Sequence, residues 1–309
     1  MNLENLFVLW LISFSLALII TPAIKSISRH KALLDVAGED PLKIHKTPTS
    51  FLGGLGFSIS FFFVLIIAEF IFFSFMKILF PLFIGGILVI SIGLWDDLKN
   101  VPPKIRFLGE IAPGLILGLF GSQLLSFTIL DPIYIILTIF YVAGIINAVN
   151  MQDGIDGLAG GLVLISLMGF FVLSTRNENE LGGMISLCLI GALIGFLIYN
   201  FPPASIFMGD NGSYFLGFIL AFFAISFTNI NDWRMFFGPI LLVGFPVFDA
   251  GYTIVRRLKK GVSPFLGDRS HLYDQLIKRG LSVQRTVLFC WGVQCVFVSS
   301  GVIICLRLN

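Results

Sequence analysis

The chain has 309 residues, of which 57% are hydrophobic and 12% are charged, and its net charge is +2. A soluble globular domain carries about a quarter charged residues, so this composition excludes a surface that faces water on all sides. The small net charge gives no support for nucleic acid as a partner. The four cysteines lie in apolar runs without C-x-x-C spacing, which indicates core side chains rather than a disulfide framework or a zinc site.

Long apolar runs recur along the whole chain, and each spanning helix needs about 20 such residues. This length predicts an all-α, polytopic membrane protein with ten spans, in one membrane domain over residues 1–309. The first span lacks a basic n-region and a small-residue cleavage site, so we expect a retained helix rather than a signal peptide. The ten spans are expected near residues 7–28, 51–74, 78–95, 107–126, 131–149, 157–175, 184–201, 213–230, 234–256 and 286–307.

The basic residues segregate to one face of this ten-span arrangement. Sixteen of the twenty Lys and Arg residues fall on that face, and the opposite face holds Lys77, Arg176, Arg234 and Arg307. The positive-inside rule therefore predicts a cytoplasmic location for the basic face and an outside location for both termini. The predicted cytoplasmic loops are 29–50, 96–106, 149–156, 201–212 and 257–285.

Two adjacent carboxylates, Asp96 and Asp97, end the third predicted span. Adjacent acids repel each other, and such a pair at a helix mouth suits a site that handles a cation or a proton. The alternative is a solvated loop in which Lys99 and Lys104 neutralise the acids.

The segment from Asn147 to Gly161 contains two Asn, two Asp and four Gly between two apolar spans. Its acids are Asp153 and Asp156, and its second amide is Asn150. Dense glycine lets a backbone approach a ligand closely, and oxygen ligands suit Mg²⁺. The alternative is a tight turn in which one Asp caps the next helix.

A third motif, Phe207–Ser213, opens the eighth predicted span and contains Asp210. An ordinary N-terminal cap explains it, and a helix N-terminus is also a ready phosphate site. A fourth segment, Asp268–Leu276, contains Arg269 and His271, for which positive-inside bias and a structural histidine are the alternatives. Together, acids for Mg²⁺ and bases for phosphate on one face indicate a phosphoryl-transfer site that is accessible from lipid and from water.

From about Asp35 to Gly280 the chain resembles the polyprenyl-phosphate N-acetylhexosamine-1-phosphate transferases. This family includes the bacterial translocase of peptidoglycan synthesis and the enterobacterial GlcNAc-1-phosphate transferase. The order and spacing of several motifs among the spans make the resemblance specific. They are Lys43–Gly56, Asp96-Asp97 with Lys104, Asn147–Gly161, Met208–Ser213, and Phe245–Asp249 followed by the His271 loop.

The resemblance implies transfer of a sugar-1-phosphate from a UDP-N-acetylhexosamine to undecaprenyl phosphate, with release of UMP. It implies a multi-pass protein of the inner (plasma) membrane, with the active site on the cytoplasmic face and a homodimeric state. Relatives carry several histidines in the last loop, whereas this chain has His271 alone there. It therefore looks closer to the O-antigen-initiating branch, and we expect GlcNAc or a related amino sugar rather than MurNAc-pentapeptide.

The same resemblance assigns roles to individual residues. Asp96 looks like the carboxylate that deprotonates or orients the lipid phosphate, and Asp97 would help position that phosphate or the metal. Asp210 with Asn150 resembles the site for Mg²⁺, with Mn²⁺ as the alternative ion. The remaining catalytic residues are Asp153 and Asp156, and the residues expected to bind substrate are Lys46, Lys104, Asn147, Arg269 and His271.

A secondary transporter with a cation site is the alternative from a different functional class. Ten helices and a bound cation are compatible with a transporter. Transporters, however, place ionisable groups near the middle of the bilayer, often on broken helices. In this sequence Glu69 is the one acid expected to lie deep within a span, because the other acids of interest gather at one face.

Overall fold

A computed structural model of the chain describes residues 3–36, 47–72, 76–99, 101–120, 132–263 and 269–306. Within these ranges the protein is almost entirely helical, which confirms the predicted all-α class. The strands β1 (Leu34–Asp35) and β2 (Thr49–Ser50) form one short antiparallel pair, with Leu34 opposite Ser50. The helices are α1 (Leu3–His30), α2 (Gly53–Phe72), α3 (Met76–Lys99), α4 (Pro103–Phe120), α5 (Pro132–Asn150), α6 (Leu158–Arg176), α7 (Glu180–Asn200), α8 (Asp210–Phe227), α9 (Trp233–Leu242), α10 (Gly244–Lys259), α11 (Leu272–Lys278) and α12 (Val283–Leu306).

The helices α7 and α8 form the centre of the bundle. They are apolar around their whole circumference, and such helices are stable only when other helices or lipid cover them. α8 packs against α2, α3, α5 and α6, and α7 packs against α1, α2 and α6. Phenylalanine rings fill the spaces between the helices, as in the stacked pair Phe170 and Phe223, whose centroids lie 5.2 Å apart.

The outer helices present apolar side chains to their surroundings. On α5, Ile133, Ile136, Leu137 and Phe140 are all exposed, and their spacing puts them on one helix face. An exposed apolar stripe of this kind is stable in lipid and costly in water. The protein is therefore an integral, polytopic membrane protein.

Eight helices of the described chain are long and apolar enough to cross a membrane, and the bent pair α9 and α10 raises the number to nine if it forms one span. α4, which corresponds to the predicted span 107–126, is not among them and carries the buried Glu110. The count of ten spans and the outside location of both termini stay predictions.

The prediction of one continuous helix over 234–256 is wrong. α9 and α10 meet at Val243 with a bend of 80°. Two backbone groups at this break bond to the side chain of Gln294 on α12, whose Oε1 accepts from Phe245 N–H at 2.9 Å and whose Nε2 donates to Leu242 C=O at 2.9 Å. Because the side-chain amide replaces lost helix bonds, the sharp bend leaves these buried groups satisfied.

Several helix ends differ from the predicted loops. Asp96 and Asp97 lie in the last turn of α3 rather than in a loop, and the predicted loop 257–285 contains the short helix α11. The C-terminal ends of α3, α5 and α7 lie beside the N-terminal ends of α6 and α8. This end of the bundle carries most of the residues that the sequence motifs single out.

Candidate functional site

A cavity of about 1090 Å³ opens at this end of the bundle. Its wall combines the end of α3, the start of α8, strand β1, the turn between α5 and α6, and the segment before α11. Arg269 is the one basic residue among the described residues of the wall. Six acids also line the cavity, namely Asp35, Asp96, Asp97, Asp153, Asp156 and Asp210.

Asp96 is held firmly, with 4% of its surface exposed. Its Oδ1 accepts from the Val101 backbone N–H at 2.7 Å, and its Oδ2 accepts from Arg106 at 2.7 Å and from the Tyr214 hydroxyl at 3.1 Å. The Asp96 carboxyl also lies within hydrogen-bonding distance of the Asp210 carboxyl. Two carboxyl groups in such contact need a proton or a cation between them, because two negative charges would repel each other.

Asp97 caps α8 from a different helix. Its Oδ1 accepts from the Asp210 N–H at 2.9 Å, and its Oδ2 accepts from the Asn211 N–H at 3.0 Å and the Asn211 side-chain amide at 2.7 Å. The N-cap residue of α8 is Gly209, which has no side chain to bond these donors. The interpretation of 207–213 as an ordinary cap is therefore wrong, since α3 supplies the cap.

Close backbone packing allows this arrangement. A Cβ on Gly93 would lie 2.4 Å from the Asp210 carbonyl oxygen, and one on Gly54 would lie 2.4 Å from the Gly212 Cα. Glycine at both positions lets α3 and α2 approach the first turn of α8. The contact places Asp97, one turn after Gly93, next to the backbone that it caps.

The predicted metal ligands lie together. The Asn150 amide donates to Asp210 Oδ1 at 2.6 Å and to the Ser213 hydroxyl at 3.0 Å. In this geometry Asn150 orients the Asp210 carboxylate, because Oδ1 is fixed by the amide.

The residues present fit a magnesium ion by their chemistry. Among the described residues, no group of three or more His, Cys, Asp or Glu side chains is arranged to hold a metal ion by itself. Protein Mg²⁺ sites, however, often consist of one or two carboxylates completed by substrate phosphates and water. Asp210, in contact with Asp96 and facing an acidic cavity, offers hard oxygen ligands of that kind.

Asp153 and Asp156 brace the backbone around the cavity. Asp156 Oδ2 accepts from the Ala204 N–H at 2.8 Å, and Asp153 accepts from the Gly209 N–H. Neither acid caps α6. The N-cap residue of α6 is Gly157, and its backbone N–H donates to Asn200 Oδ1 at 3.1 Å. Burial, together with the nearby negative charges of Asp210, Asp97 and Asp156, raises the pKa of Asp153 well above its ordinary value.

The segment before α11 closes another side of the cavity. Arg269 lines the wall, and its Nε makes no hydrogen bond to the described residues. His271 is 5% exposed and does not line the wall, and its Nδ1 lies 2.7 Å from Asp249 Oδ2. The structure therefore brings Arg269 to the cavity and His271 to a buried carboxylate behind it.

Two other predicted substrate-binding residues, Lys104 and Asn147, lie away from the cavity wall. Lys104 is exposed at the start of α4 and does not line the cavity, and Lys46 lies outside the described residues. Asn147 donates to Glu110 Oε2 at 2.5 Å, away from the cavity wall.

The sequence analysis assigned no role to some residues that the structure connects to the site. Arg106 pairs with Asp96, Glu110 bonds Asn147, and Asp249 bonds His271. Glu110 and Asp249 stand alone among apolar residues in predicted spans. An acid within a membrane span is costly unless it has a partner. Its position in a span would therefore have identified each of these two acids as a candidate functional residue.

Fold and site define a polytopic membrane protein with an acid-rich cavity where several helices end. The model of Glycosyl transferase family 4 matches residues 79–228, from α3 to the end of α8. Five of the six cavity acids fall within this match, whereas Arg269 and His271 lie beyond it.

Curated relatives agree with the family match. The chain is 31% identical to the "Probable undecaprenyl-phosphate N-acetylglucosaminyl 1-phosphate transferase" of Bacillus subtilis (strain 168), over 72% of this chain and 64% of the relative. It is 32% identical to the decaprenyl-phosphate N-acetylglucosaminephosphotransferase of Mycobacterium leprae (strain TN), over 80% and 71%. It is 29% identical to the undecaprenyl-phosphate alpha-N-acetylglucosaminyl 1-phosphate transferase of Escherichia coli (strain K12), over 71% and 63%.

The chain thus belongs to the polyprenyl-phosphate N-acetylglucosaminyl-1-phosphate transferase family, within Glycosyl transferase family 4. It spans less than two thirds of the length of the B. subtilis and E. coli relatives.

Proposed function

We propose that this protein transfers N-acetylglucosamine-1-phosphate from UDP-N-acetylglucosamine to undecaprenyl phosphate and releases UMP. An oxygen of the lipid phosphate attacks the β-phosphorus of the nucleotide sugar, and the bond from that phosphorus to the oxygen bridging the α-phosphate breaks. The observation that carries the proposal is the convergence of five family-match aspartates on one cavity at the membrane-helix ends. The names of the relatives support the sugar and the lipid class.

The electrostatics of the cavity support a donor that arrives with metal ions. Six Asp and one Arg in the described wall make the site rich in acids, and such a wall favours a diphosphate whose charge is neutralised by a metal ion. We propose Asp210, oriented by Asn150, as the holder of Mg²⁺, with Mn²⁺ as the alternative. When bound, the ion would neutralise charge on the diphosphate.

The remaining roles follow from position. Asp96 would orient the lipid phosphate, because its carboxylate is fixed by Arg106 and Tyr214 and faces the cavity. Asp153 and Asp156 bond to backbone N–H groups of the wall. The guanidinium of Arg269, which lines the wall and lies 3.8 Å from the Asp274 carboxylate, would contact a phosphate oxygen. Such catalysis depends on positioning and charge neutralisation rather than on a covalent intermediate with the protein.

Two other assignments are less consistent with these observations. A transporter would carry its ionisable groups near the middle of its spans, whereas the cavity acids stand at helix ends. The three relatives are named for N-acetylglucosamine, which argues against MurNAc-pentapeptide as the transferred group. We further propose that the lipid product starts a cell-envelope glycan such as O-antigen.

Release of UMP tests the activity directly. Purified protein in detergent is mixed with UDP-N-acetylglucosamine, undecaprenyl phosphate and Mg²⁺, and UMP is quantified by chromatography. We expect UMP release to need all three components. Asp210→Asn should lower the rate on the order of 10³-fold, as loss of charge stabilisation at a phosphoryl-transfer site does. Asp232→Asn, the same chemical change outside the cavity, should keep the wild-type rate; equal rates in both variants would contradict the site.

The orientation in the membrane is a second part of the proposal. The positive-inside pattern supports an inner-membrane location with the cavity on the cytoplasmic side. A reporter inserted at Gly261, where a Cβ would meet nothing within 4 Å, should be cytoplasmic. A reporter fused after Asn309 should be outside, and the opposite result for either fusion would reject the ten-span topology.

A further inference from the structure

A buried carboxylate behind the cavity joins three segments of the protein. Asp249, on α10, has no exposed surface. Its Oδ2 accepts from the Gln152 side-chain amide at 2.9 Å and lies 2.7 Å from His271 Nδ1, and its Oδ1 accepts from the Leu272 N–H at 2.8 Å. These partners belong to the turn after α5 and to the start of α11. The family model ends before Asp249, and Asp249 does not line the cavity.

The contact with Asp249 also sets the state of the His271 ring. A carboxylate only accepts hydrogen bonds, so Nδ1 of His271 carries a proton and donates to Asp249. The ring is further held by parallel stacking on Tyr273, with 5.4 Å between centroids. Thr253 Oγ1, one turn along α10 from Asp249, lies 3.3 Å from the same Nδ1.

A second contact ties the same two segments together. The Tyr273 hydroxyl donates to the Met151 carbonyl at 3.1 Å, and a Cβ on Gly154 would lie 2.1 Å from that hydroxyl oxygen. The turn 151–157 and the segment 269–278 are therefore in direct contact. Asp153 and Asp156 belong to the first and Arg269 to the second, and all three line the cavity.

We propose that Asp249 is a positioning residue for the transferase function proposed above. It acts through His271, Gln152 and Leu272, and it fixes the spacing across the cavity between the acids of the turn 151–157 and Arg269. It makes no contact with substrate. In-line transfer depends on the placement of charged groups around the diphosphate, so a shift of either segment lowers the rate without removing a catalytic group.

Two variants of Asp249 separate this role from a general loss of folding. Asp249→Asn keeps one acceptor oxygen and turns an amide toward donors, and Asp249→Ala removes both oxygens. Loss of a hydrogen bond to a charged group changes an equilibrium constant by about 10- to 100-fold. We expect kcat/KM to fall by about the same factor in Asp249→Asn. The matched control is Ser13→Ala, which removes a fully buried interhelical bond to Cys188 C=O far from the cavity and should leave kcat/KM unchanged.

A double-mutant cycle with His271→Ala shows whether Asp249 acts through the histidine. Residues that share one network give non-additive effects. We therefore expect Asp249→Asn to cost less in the His271→Ala background than in the wild type. Independent, multiplying losses would overturn a role through His271.

Hydrogen exchange tests the same role without any assay of transfer. In folded, full-length protein without substrate, Asp249→Asn should speed amide exchange in both 151–157 and 269–278, because both lose a common anchor. Ser13→Ala should leave both segments unchanged. Unchanged exchange in Asp249→Asn would overturn the positioning role. If wild-type protein releases no UMP while the exchange result holds, the transferase proposal fails and the contact role of Asp249 stands.

Discussion

The cap that Asp97 provides for α8 can be removed by one substitution, Asp97→Ala. The backbone N–H groups of Asp210 and Asn211 then lose their acceptor. The Asn211 side-chain amide loses one of its acceptors and keeps its bond to the Phe51 carbonyl at 3.1 Å. Gly209 offers no replacement, since it is the N-cap residue and has no side chain. Asn211 has no exposed surface, so water cannot easily replace the lost bonds to it.

The magnitude follows from these contacts. A helix N-cap contributes about 0.5–2 kcal/mol, and a buried donor left without a partner costs about 1–3 kcal/mol. The terms overlap because Asn211 takes part in both. We therefore expect Asp97→Ala to lower the free energy of unfolding by about 2–4 kcal/mol. Asp97→Asn, which retains one acceptor oxygen, should lose an intermediate amount.

Equilibrium unfolding in mixed detergent micelles measures this loss. Asn179→Ala is a matched control, because Asn179 caps α7 through its own side chain, which accepts from the Gly182 N–H at 2.9 Å. That variant should lose about 1 kcal/mol and keep its transfer activity. If Asp97→Ala is no less stable than Asn179→Ala, Asp97 does not hold α8 and its role must be assigned differently.

Three further variants test other parts of the structure. Asp153→Asn should raise the free energy of unfolding of ligand-free protein at neutral pH, because burial raises the pKa of Asp153 and its ionisation therefore opposes folding. Thermal unfolding should show this gain disappear as the pH falls through the ordinary pKa range of an aspartate, where the unfolded chain is protonated too. Arg106→Met should lower the free energy of unfolding by about 1–3 kcal/mol, because it leaves the buried Asp96 without its cation. Denaturant titration measures this loss, and an unchanged free energy of unfolding would show that the pair does not stabilise the fold. Gly54→Ala should lower the yield of folded protein on size-exclusion chromatography, because its Cβ would lie 2.4 Å from the Gly212 Cα.

The sequence predicted the helices well because apolar length is a local property. The eight apolar runs that are long enough by themselves to cross a bilayer are helical in the described chain, and the break within 234–256 is the interruption that the sequence missed. The bend at Val243 depends on Gln294, a residue about fifty positions away that bonds both sides of the break. No periodicity within 234–256 reports that contact.

The candidate site was predictable in part for the same reason. Asp96, Asp153 and Asp210 stand out as acids beside apolar runs, and the structure gathers them at one cavity, while their catalytic roles stay predictions. What each acid bonds was not predictable. Asp97 caps a helix that begins more than a hundred residues later, and Asp249 on α10 bonds His271 at the start of a different helix, α11.

The fate of the β-phosphorus tests the proposed transfer most directly. Purified protein is given UDP-N-acetylglucosamine labelled with ³²P in the β-phosphate, together with undecaprenyl phosphate and Mg²⁺. The proposed reaction moves the label into the lipid fraction and leaves UMP unlabelled, and Asp210→Asn should lose this transfer while Asp232→Asn keeps it. Label that stays in water-soluble sugar phosphate or inorganic phosphate, with none in lipid, would contradict the proposed function.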